Sequence, residues 1–579
     1  MRSGSLLKAA VAATAATGLL AGPLTGPAAA AAPAGQTTAP TVAVIVRHDG
    51  SGAAEAAVTR AGGTIGQHLD LVGAFTAQLP AGALAAVSRA PGVRAVTPDG
   101  QVRMRGEEWN ADEDQHSMSS LTQSIGAQQV WATTDASGAE LTGQGVGVAV
   151  IDSGIAPVEG LDAPGKVING PDLSFESQTP ALRNLDTFGH GTHMAGIIAG
   201  HDSRVQAGKK QFTGVAPDAH LLNMKVAAAD GAVDVSQVIA AIDWVVTHRD
   251  DPGLNIRVLN LSFGTDSTQD PRLDPLSFAV EAAWKKGIVV VVSVGNDGLA
   301  ESRVGMPAAN PNVLAVGAAD PLSTADRSDD VVADFSTGGS QTRHADLVAP
   351  GKSVVSLRVP NGFIDAAYPE ARIADDPAQR YFRGSGTSQA AAVVSGAAAL
   401  LLQQRPDLTP DQVKKLLTGT ADAMPAGDQL AQGAGQLDIA AAVQAPTPVA
   451  STQTYLPATG LGSLEASRGT SHVADPDTGT ELTGEFDIMG QAWTPAGWAQ
   501  VCTTGAAWSG DTWNGRTWSG RTWSGSNWAG RTWSGRTWSG AVWDGRTWSG
   551  RTWSGRTWSG RTWSGRTWSG QAWSASDWG

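Results

Sequence analysis

The stretch Val148-Ala-Val-Ile-Asp-Ser-Gly154 is a short apolar run that ends in an acidic residue. Near-continuous runs of β-branched and small apolar residues are typical of strands buried on both faces, as in a parallel sheet. The carboxylate of Asp152 then lies at the end of a buried strand, where it is costly unless another group bonds to it. The stretch therefore predicts a core strand that carries a partnered acid.

The same pattern is found on both sides of this strand, over residues 143–443, where short apolar runs alternate with helical segments. This alternation predicts an α/β fold with a doubly wound, mainly parallel sheet and helices on both faces. We expect helices over Ser236–His248 and Ser388–Gln403. The predicted strands are Gly147–Ile151, Leu221–Val226, Val258–Ser262, Ile288–Ser293 and Val313–Ala318.

Two further motifs carry side chains suited to nucleophilic catalysis. His190-Gly-Thr-His-Met-Ala-Gly196 places an imidazole at the start of a helix, and Gly384-Ser-Gly-Thr-Ser-Gln-Ala390 places Ser388 at the start of an Ala-rich helix. A serine hydroxyl is a weak nucleophile until a neighbouring base takes its proton, and a carboxylate holds that base in one tautomer. An acid, an imidazole and a serine are thus all present.

The three motifs, in the order Asp, His, Ser, resemble the active-site signatures of the subtilisin-like serine protease (subtilase) family. The resemblance covers Leu141–Val443 and implies a subtilisin-like fold. It also implies Ser388 as nucleophile, His190 as general base and then acid, and Asp152 as the group that orients the imidazole. Peptide-bond hydrolysis through an acyl-enzyme would need no cofactor; structural calcium is an option in this family, but no ligands are assigned.

The resemblance extends to groups around the triad. Asn296, in Val294-Gly-Asn-Asp-Gly298, is implied as an oxyanion donor together with the Ser388 N–H. A peptide substrate is expected to bind as an added β-strand, with an apolar or aromatic residue before the cut. The implied substrate-binding residues are Leu261, Ser262, Phe263 and Gly264 on one side, and Asp230, Gly231 and Ala232 on a strand edge opposite.

Three features depart from a simple active-site pattern. Ala392 stands where the family has a proline, four positions after the serine. His193 shares a helical face with His190, but no third ligand is evident, so we expect a structural role and predict no metal site. Cys502 is the sole cysteine, which excludes an intrachain disulfide, and we interpret it as an incidental thiol.

The first 120 residues carry the signs of export and processing. Residues 1–32 have the charged, apolar and small-residue order of a signal peptide, and no later segment is predicted to span a membrane, so we expect a secreted, extracellular protein. Residues 41–105 read as a small α+β unit that resembles the family's inhibitory prosegment. Residues 106–120 read as a linker cut by the chain itself, between this unit and a peptidase domain at 121–443. The expected partners are protein or peptide substrates and the chain's own prosegment.

The C-terminal part follows different rules. Residues 444–490 are rich in Pro, Thr, Gly and Ser and read as a linker, and residues 491–579 repeat Trp every five residues, mostly as Arg-Thr-Trp-Ser-Gly. The repeat resembles pentapeptide solenoids with four repeats per square coil. It also fits an exposed ladder that binds cell-wall polymers, glycans or nucleic acid, or a disordered tail.

Charge separates this tail from the rest. The chain has a formal net charge of -14, whereas residues 501–579 hold nine Arg and three Asp, a net of +6, which leaves -20 before them. This balance argues against nucleic-acid binding along the whole chain. The runner-up function is a catalytically weak or inactive subtilase scaffold that acts as a wall- or glycan-binding surface protein through the tail.

Overall fold

The computed structural model describes residues 41–98 and 110–517, apart from short gaps, and the backbone of six strands between 532 and 574. The chain divides into two compact units, Met1–Arg105 and Gly106–Gly579. The predicted signal peptide lies outside the described residues. The gaps inside the described ranges are 70–71, 112, 178, 203–210, 325–326, 426, 450, 475–479, 511 and 515.

The first unit is the small α+β unit that the sequence predicts, built as a four-stranded antiparallel sheet with two short helices. Its strand order is β2-β3-β1-β4, and its core centres on Val46, Phe75 and Leu79. Strand β2 was not predicted, because five of its six residues are exposed and show no apolar alternation. The elements are β1 (Thr41–His48), α1 (Ala53–Arg60), β2 (Thr64–Leu69), β3 (Ala74–Pro80), α2 (Leu84–Val87) and β4 (Val93–Pro98).

The second unit is built on a mainly parallel sheet, which confirms the predicted fold class. Its strand order is β11-β10-β9-β8-β5-β7-β6, with β12 beside β10, and only the β10–β11 pair is antiparallel. A separate hairpin pairs β13 with β14. The strands are β5 (Gly147–Asp152), β6 (Val167–Asn169), β7 (His220–Lys225), β8 (Ile256–Leu261), β9 (Val289–Ser293), β10 (Leu314–Asp320), β11 (Val331–Val332), β12 (Leu347–Pro350), β13 (Val354–Leu357) and β14 (Tyr381–Gly384).

Helices cover both faces of this sheet, since every residue of β5 is buried. One pair, α5 and α9, packs together, as does the pair α6 and α7. The helices are α3 (Met118–Ser124), α4 (Ala127–Trp131), α5 (His190–Ala199), α6 (Val235–His248), α7 (Pro275–Lys285), α8 (Phe363–Ala367), α9 (Thr387–Gln404), α10 (Pro410–Gly419), α11 (Ile439–Gln444), α12 (Leu464–Arg468) and α13 (Pro495–Thr504).

The predicted processing linker at 106–120 is shorter than expected. From Asn110 onward it belongs to the second unit: Asp114 forms an ion pair with Arg383 at 2.6 Å, and the Val355 N–H donates to the His116 carbonyl at 3.0 Å. Ser117 is buried and caps α3. A polar stretch looks exposed in sequence, but here distant partners order it from Asn110 onward; residues 106–109 lie outside the described residues.

The predicted linker at 444–490 is likewise corrected. Fully buried Arg468 of α12 pairs with fully buried Asp234, the cap of α6, with 2.6 Å between Nε and Oδ2. The Ala458 N–H donates to the buried carboxylate of Glu281 on α7. Pro, Gly and Ser composition gives no periodic apolar signal, yet polar pairs across more than 170 residues of sequence hold this segment on the second unit.

The first tryptophans of the predicted tail also belong to this unit. Trp493, Trp498, Trp508 and Trp513 lie in its main hydrophobic core. The indole N–H groups of Trp498 and Trp513 both donate to Oδ2 of buried Asp243 on α6, each at 3.0 Å. The predicted domain boundary at 490/491 is therefore wrong, because these indoles complete the packing of α6 and α7.

Beyond these tryptophans the repeat forms two parallel ladders. In one ladder Thr547 lies between its partners Thr532 and Thr562. In the other, Thr557 lies between its partners Val542 and Ala572. The pairing offset is 15 residues, or three pentapeptides, whereas the solenoid alternative predicts four repeats per coil. The ladder strands are β18 (Thr532–Trp538), β20 (Thr547–Trp553) and β22 (Thr562–Trp568) in the first, and β19 (Val542–Trp543), β21 (Thr557–Ser559) and β23 (Ala572–Ser574) in the second. Before them, β15 (Trp508–Ser509), β16 (Thr512–Trp513) and β17 (Arg516–Thr517) form a small antiparallel sheet.

The Asp243 contacts give a first testable prediction. Asp243→Ala leaves two buried indole N–H groups without an acceptor, at a cost of about 1–3 kcal/mol each. Asp243→Asn keeps a carbonyl oxygen that can accept from both indole N–H groups. Burial raises the pKa of Asp243, which favours the uncharged carboxyl, so the neutral amide is a close substitute. In urea unfolding at neutral pH we expect the Asn variant to match the parent or exceed it, and the Ala variant to unfold first. Equal destabilisation by both variants would show that the charge itself holds the indoles.

Candidate active site

The centre of the site is the contact between Asp152 and His190. Asp152 ends β5 and His190 begins α5, and the His190 Nδ1 lies 2.8 Å from Oδ1 and 2.9 Å from Oδ2 of Asp152. Asp152 is 9% exposed. A ring nitrogen bonded to a carboxylate carries its proton on that side, so the other nitrogen, Nε2, is left as the base. The predicted orienting acid and base are thus in contact.

The close approach of α5 to β5 requires a glycine after the histidine. A Cβ placed on Gly191 would collide with the carbonyl oxygen of Gly154 and lie 3.2 Å from Oδ1 of Asp152. Any side chain there would push the first turn of α5 away from the strand. The glycine in His190-Gly191 therefore sets the distance at which His190 meets Asp152.

A buried polar layer, missed in the sequence, holds this pair. Asp186 accepts the Thr192 N–H at 2.8 Å and the Gly189 N–H at 2.6 Å, which anchors the start of α5. The Ser153 hydroxyl donates to Asp186 at 2.9 Å, and the Ser153 N–H donates to Asp152 at 2.7 Å. The signal available was an acid four residues before His190, a spacing suited to bonding the free N–H groups of a helix start.

The surroundings of His190 set its proton affinity. Burial alone would lower the pKa of His190, but the Asp152 carboxylate on the ring and the nearby Asp186 raise it, and the net pKa is raised. The imidazolium is therefore favoured relative to a free histidine. This is the state that forms when the base accepts a proton during nucleophilic attack.

Ser388 is the second residue of α9, which packs against α5. No hydrogen bond joins its hydroxyl to His190 among the described residues; such contacts are often long before substrate binds. The carbonyl of Ser388 accepts from the Ser262 hydroxyl at 3.3 Å. Ala392 is buried, and α9 continues unbroken through it. An alanine keeps the amide N–H that a proline lacks, so this departure from the family pattern leaves the helix regular.

Asn296 lies beside the start of α9. Its Oδ1 accepts the Thr387 N–H at 2.9 Å and the Thr387 hydroxyl at 3.1 Å. These two bonds occupy the carbonyl side of the amide, so the Nδ2 donor is left open toward solvent. Ser388 is within the first turn of α9, where an N–H has no acceptor inside the helix. Two donors are thus available near the serine.

His193 lies one turn after His190 on the inner side of α5. Burial lowers the pKa of His193 to about 3, and the neighbouring His190 adds to this. Gly384 packs so closely that an added Cβ would lie 3.1 Å from its Nε2. His193 is therefore a neutral packing residue.

The predicted substrate-binding residues fall in two places. Leu261 ends β8 and is buried, and Ser262, Phe263 and Gly264 lead away from it beside the start of α9. The other group lies in a hydrogen-bonded turn outside any strand, which corrects the expected strand edge: the Gly231 N–H donates to the Ala228 carbonyl at 2.9 Å. Ala232 packs against a small apolar cluster of Val473, Leu482 and Ile488, which belong to residues 444–490, called the C-terminal segment below.

Comparison with known proteins agrees with this geometry. Residues 143–435 match the Subtilase family, Peptidase_S8, and this chain belongs to that family. It is 38% identical over 307 residues to the serine protease AprX of Bacillus subtilis strain 168, a stretch covering 52% of this chain and 66% of AprX. It is 34% identical to subtilisin DY of Bacillus licheniformis, over 52% of this chain and 92% of that protein. The chain is thus a subtilisin-like serine protease by family.

A second match concerns the first unit. Residues 19–99 match the family described as “Putative peptidase inhibitor domain”. The match includes the whole four-stranded sheet and reaches back into residues outside the described part. It supports the interpretation of this unit as an inhibitory prosegment. Separately, no helix within the described residues is long and apolar enough to cross a membrane.

The raised pKa of His190 gives a prediction for pH dependence. Only the unprotonated imidazole can take the serine proton, so reactivity should rise with pH through a midpoint above the usual value of about 6.5. We expect the rate of Ser388 modification by a fluorophosphonate to follow this curve. His201→Gln, at a histidine paired with Asp218 elsewhere on the unit, should leave the midpoint in place. A midpoint below 6.5 would contradict the assigned electrostatics.

Proposed function

We propose that this chain is a secreted serine endopeptidase, made as a zymogen, that cuts peptide bonds through an acyl-enzyme. The observation that carries the proposal is the bond from His190 Nδ1 to both oxygens of Asp152. It holds the imidazole with Nε2 free to act as a base. Family membership supports peptidase chemistry, while the assignment of the individual residues rests on their geometry.

The proposed reaction begins with attack of the Ser388 oxygen on the carbonyl carbon of the scissile bond. His190 Nε2 takes the hydroxyl proton as the new C–O bond forms, and Asp152 stabilises the imidazolium. The carbonyl oxygen becomes an oxyanion that the Asn296 Nδ2 and the Ser388 N–H stabilise. His190 then gives its proton to the leaving amine. The C–N bond is then broken and the acyl group remains on Ser388. Water attacks this acyl-enzyme, with His190 taking a proton from the water and returning it to the Ser388 oxygen, so the acid is released and Ser388 is restored.

Substrate is proposed to lie between the Leu261–Gly264 segment and the turn at Asp230–Ala232. The Leu261–Gly264 segment follows β8 and lies beside the start of α9, which carries Ser388. An extended peptide that pairs with the backbone of this segment would therefore lie next to the nucleophile. The apolar cluster that packs behind Ala232 supports the expected preference for apolar or aromatic side chains. Because three members of that cluster come from the C-terminal segment, this segment borders the proposed substrate site.

The nucleophile is tested by covalent labelling. The chain, expressed without residues 1–32, is treated with a fluorophosphonate probe and the modified residue is located by mass spectrometry. We expect the label on Ser388 and none in Ser388→Ala. Ser395→Ala is a matched control, because this buried serine of the same helix donates to Asn260 instead. A processed, folded chain that takes no label would favour the alternative of an inactive scaffold.

The oxyanion role of Asn296 gives a separate prediction. Asn296→Asp keeps an acceptor for the Thr387 N–H but removes the amide donor. Loss of one such donor lowers kcat by about 10²–10³, a magnitude measured in a protein of this same family. We expect this loss with little change in KM or thermal stability, measured on a chromogenic peptide. Full activity in the Asp variant would remove Asn296 from the mechanism.

Zymogen maturation is proposed to occur by self-cleavage between the two units. The cut is proposed within residues 106–109, because the inhibitor-family match ends at residue 99 and Asp114 and His116 are bonded within the second unit. The Ser388→Ala chain made alone should stay at full length. Correct maturation of that variant in a purified system would rule out self-processing while leaving the labelling result intact.

A further inference from the structure

A cluster of potential metal ligands lies in the first unit, far in sequence from the triad. His48 is the last residue of β1, Glu55 is in the first turn of α1, and His68 is near the end of β2. One ligand atom from each side chain lies within 4.8 Å of the others. We propose that His48, Glu55 and His68 form a binding site for a divalent transition metal ion, with Zn²⁺ as the first candidate.

The backbone brings the two histidines of this cluster to one aromatic ring. His68 is paired across the sheet with buried Phe75 of β3, and the His48 N–H donates to the Gly73 carbonyl at 3.0 Å. The rings of His48 and His68 lie 5.6 Å and 5.8 Å from that of Phe75. Phe75 is fully buried, and both imidazoles lie against its ring.

The state of Glu55 is an independent indication of a ligand. Its Oε2 is shielded from solvent and has no hydrogen-bond partner among the described residues. A carboxylate oxygen left without a donor in such a place is destabilising. An acid in the first turn of a helix is ordinary, and the helix start alone would explain an exposed carboxylate. It does not explain a shielded oxygen without a partner on a carboxylate that lies beside two imidazoles, whereas a cation between the three groups does.

The donor set suits zinc. Two imidazoles and one carboxylate, with water as the fourth ligand, are a common tetrahedral Zn²⁺ environment, with bonds of about 2.0–2.2 Å. Such bonds place ligand atoms about 3.4 Å apart, so the cluster must contract slightly. The exposed His68 side chain can supply that movement. Carboxylate-only sites favour Mg²⁺ or Ca²⁺, but imidazoles favour later transition metals.

One existing bond must change when the ion binds. The Nδ1 of His48 accepts the Gly50 N–H at 3.1 Å, which places the proton of the neutral ring on Nε2. The ring can coordinate through Nδ1 in place of the Gly50 contact, or through Nε2 after the proton moves to Nδ1. In both cases the Gly50 N–H loses its acceptor. Metal binding therefore reorders the turn between β1 and α1.

A metal would supply what this small unit lacks. Ten apolar residues are buried within the described residues 41–98, four of them alanines, and the sole cysteine is in the other unit. Units of this size commonly depend on a metal or a disulfide as a cross-link. The ion would tie the exposed edge strand β2 to β1 and α1. Its consequence, that zinc strengthens the inhibitory prosegment and delays maturation, rests on the proposed function; the site itself does not.

The test uses the full chain with Ser388→Ala, which keeps the first unit attached, produced without a histidine tag. Zn²⁺ binding is measured by calorimetry and by metal analysis after dialysis, and Co²⁺ absorption reports the ligand geometry. We expect one ion per chain. We expect its affinity to fall at least about tenfold in His68→Gln and in Glu55→Gln. His201→Gln is the matched control and should bind as the parent does.

Hydrogen exchange provides a second measurement that does not depend on affinity alone. Zinc should slow exchange in β2 and speed it at Gly50 in the parent, with neither change in His68→Gln. Matching circular dichroism spectra in chelator establish that the variants fold. The proposal is overturned if the chain binds no zinc saturably, or if both variants bind as the parent does. It is also overturned if His190→Gln, and not His68→Gln, removes the ion.

Discussion

The rest of this structure depends on one constraint: a carboxylate placed at the end of a fully buried strand needs a bonded partner. Asp152 satisfies it with the His190 ring and the Ser153 N–H. That requirement draws α5 close to β5, makes a glycine necessary at position 191, and recruits Asp186 to hold the helix start. The parallel sheet supplies the rigid frame, since the functional side chains follow the ends of β5, β8 and β9.

In the second unit, buried strands could be predicted from the sequence. The five predicted strands and two predicted helices are confirmed with ends shifted by at most two residues, because apolar runs of that kind leave little choice of structure. The Asp152–His190 contact was likewise predictable from motifs alone. Asp186 was missed because its role is to bond backbone N–H groups, which leaves no apolar pattern. Edge strand β2 was missed for a similar reason, since nearly all of its side chains face solvent.

The incorrect predictions concern segments whose polar residues make long-range contacts. A segment rich in Pro, Gly and Ser reads as a linker, and nothing local shows that Arg468 will meet Asp234 from the far side of the chain. The same holds for the tryptophans, because the five-residue spacing does not distinguish the core residues Trp493, Trp498, Trp508 and Trp513 from those that follow them. His48, Glu55 and His68 illustrate the same limit, because the sheet register that brings the two histidines together and the packing of α1 that adds Glu55 are not visible in the local sequence.

The position of Trp513 has a consequence for how the protein is made. Its indole bonds to Asp243, 270 residues earlier in the chain, and it is fully buried in the main core. Synthesis proceeds from the N-terminus, so the triad residues emerge long before the last core residue does. A nascent or prematurely terminated chain leaves α6 and α7 uncovered, with Asp243 unpaired. The fold thus contains a check on completeness, in which the far end of the chain closes the core.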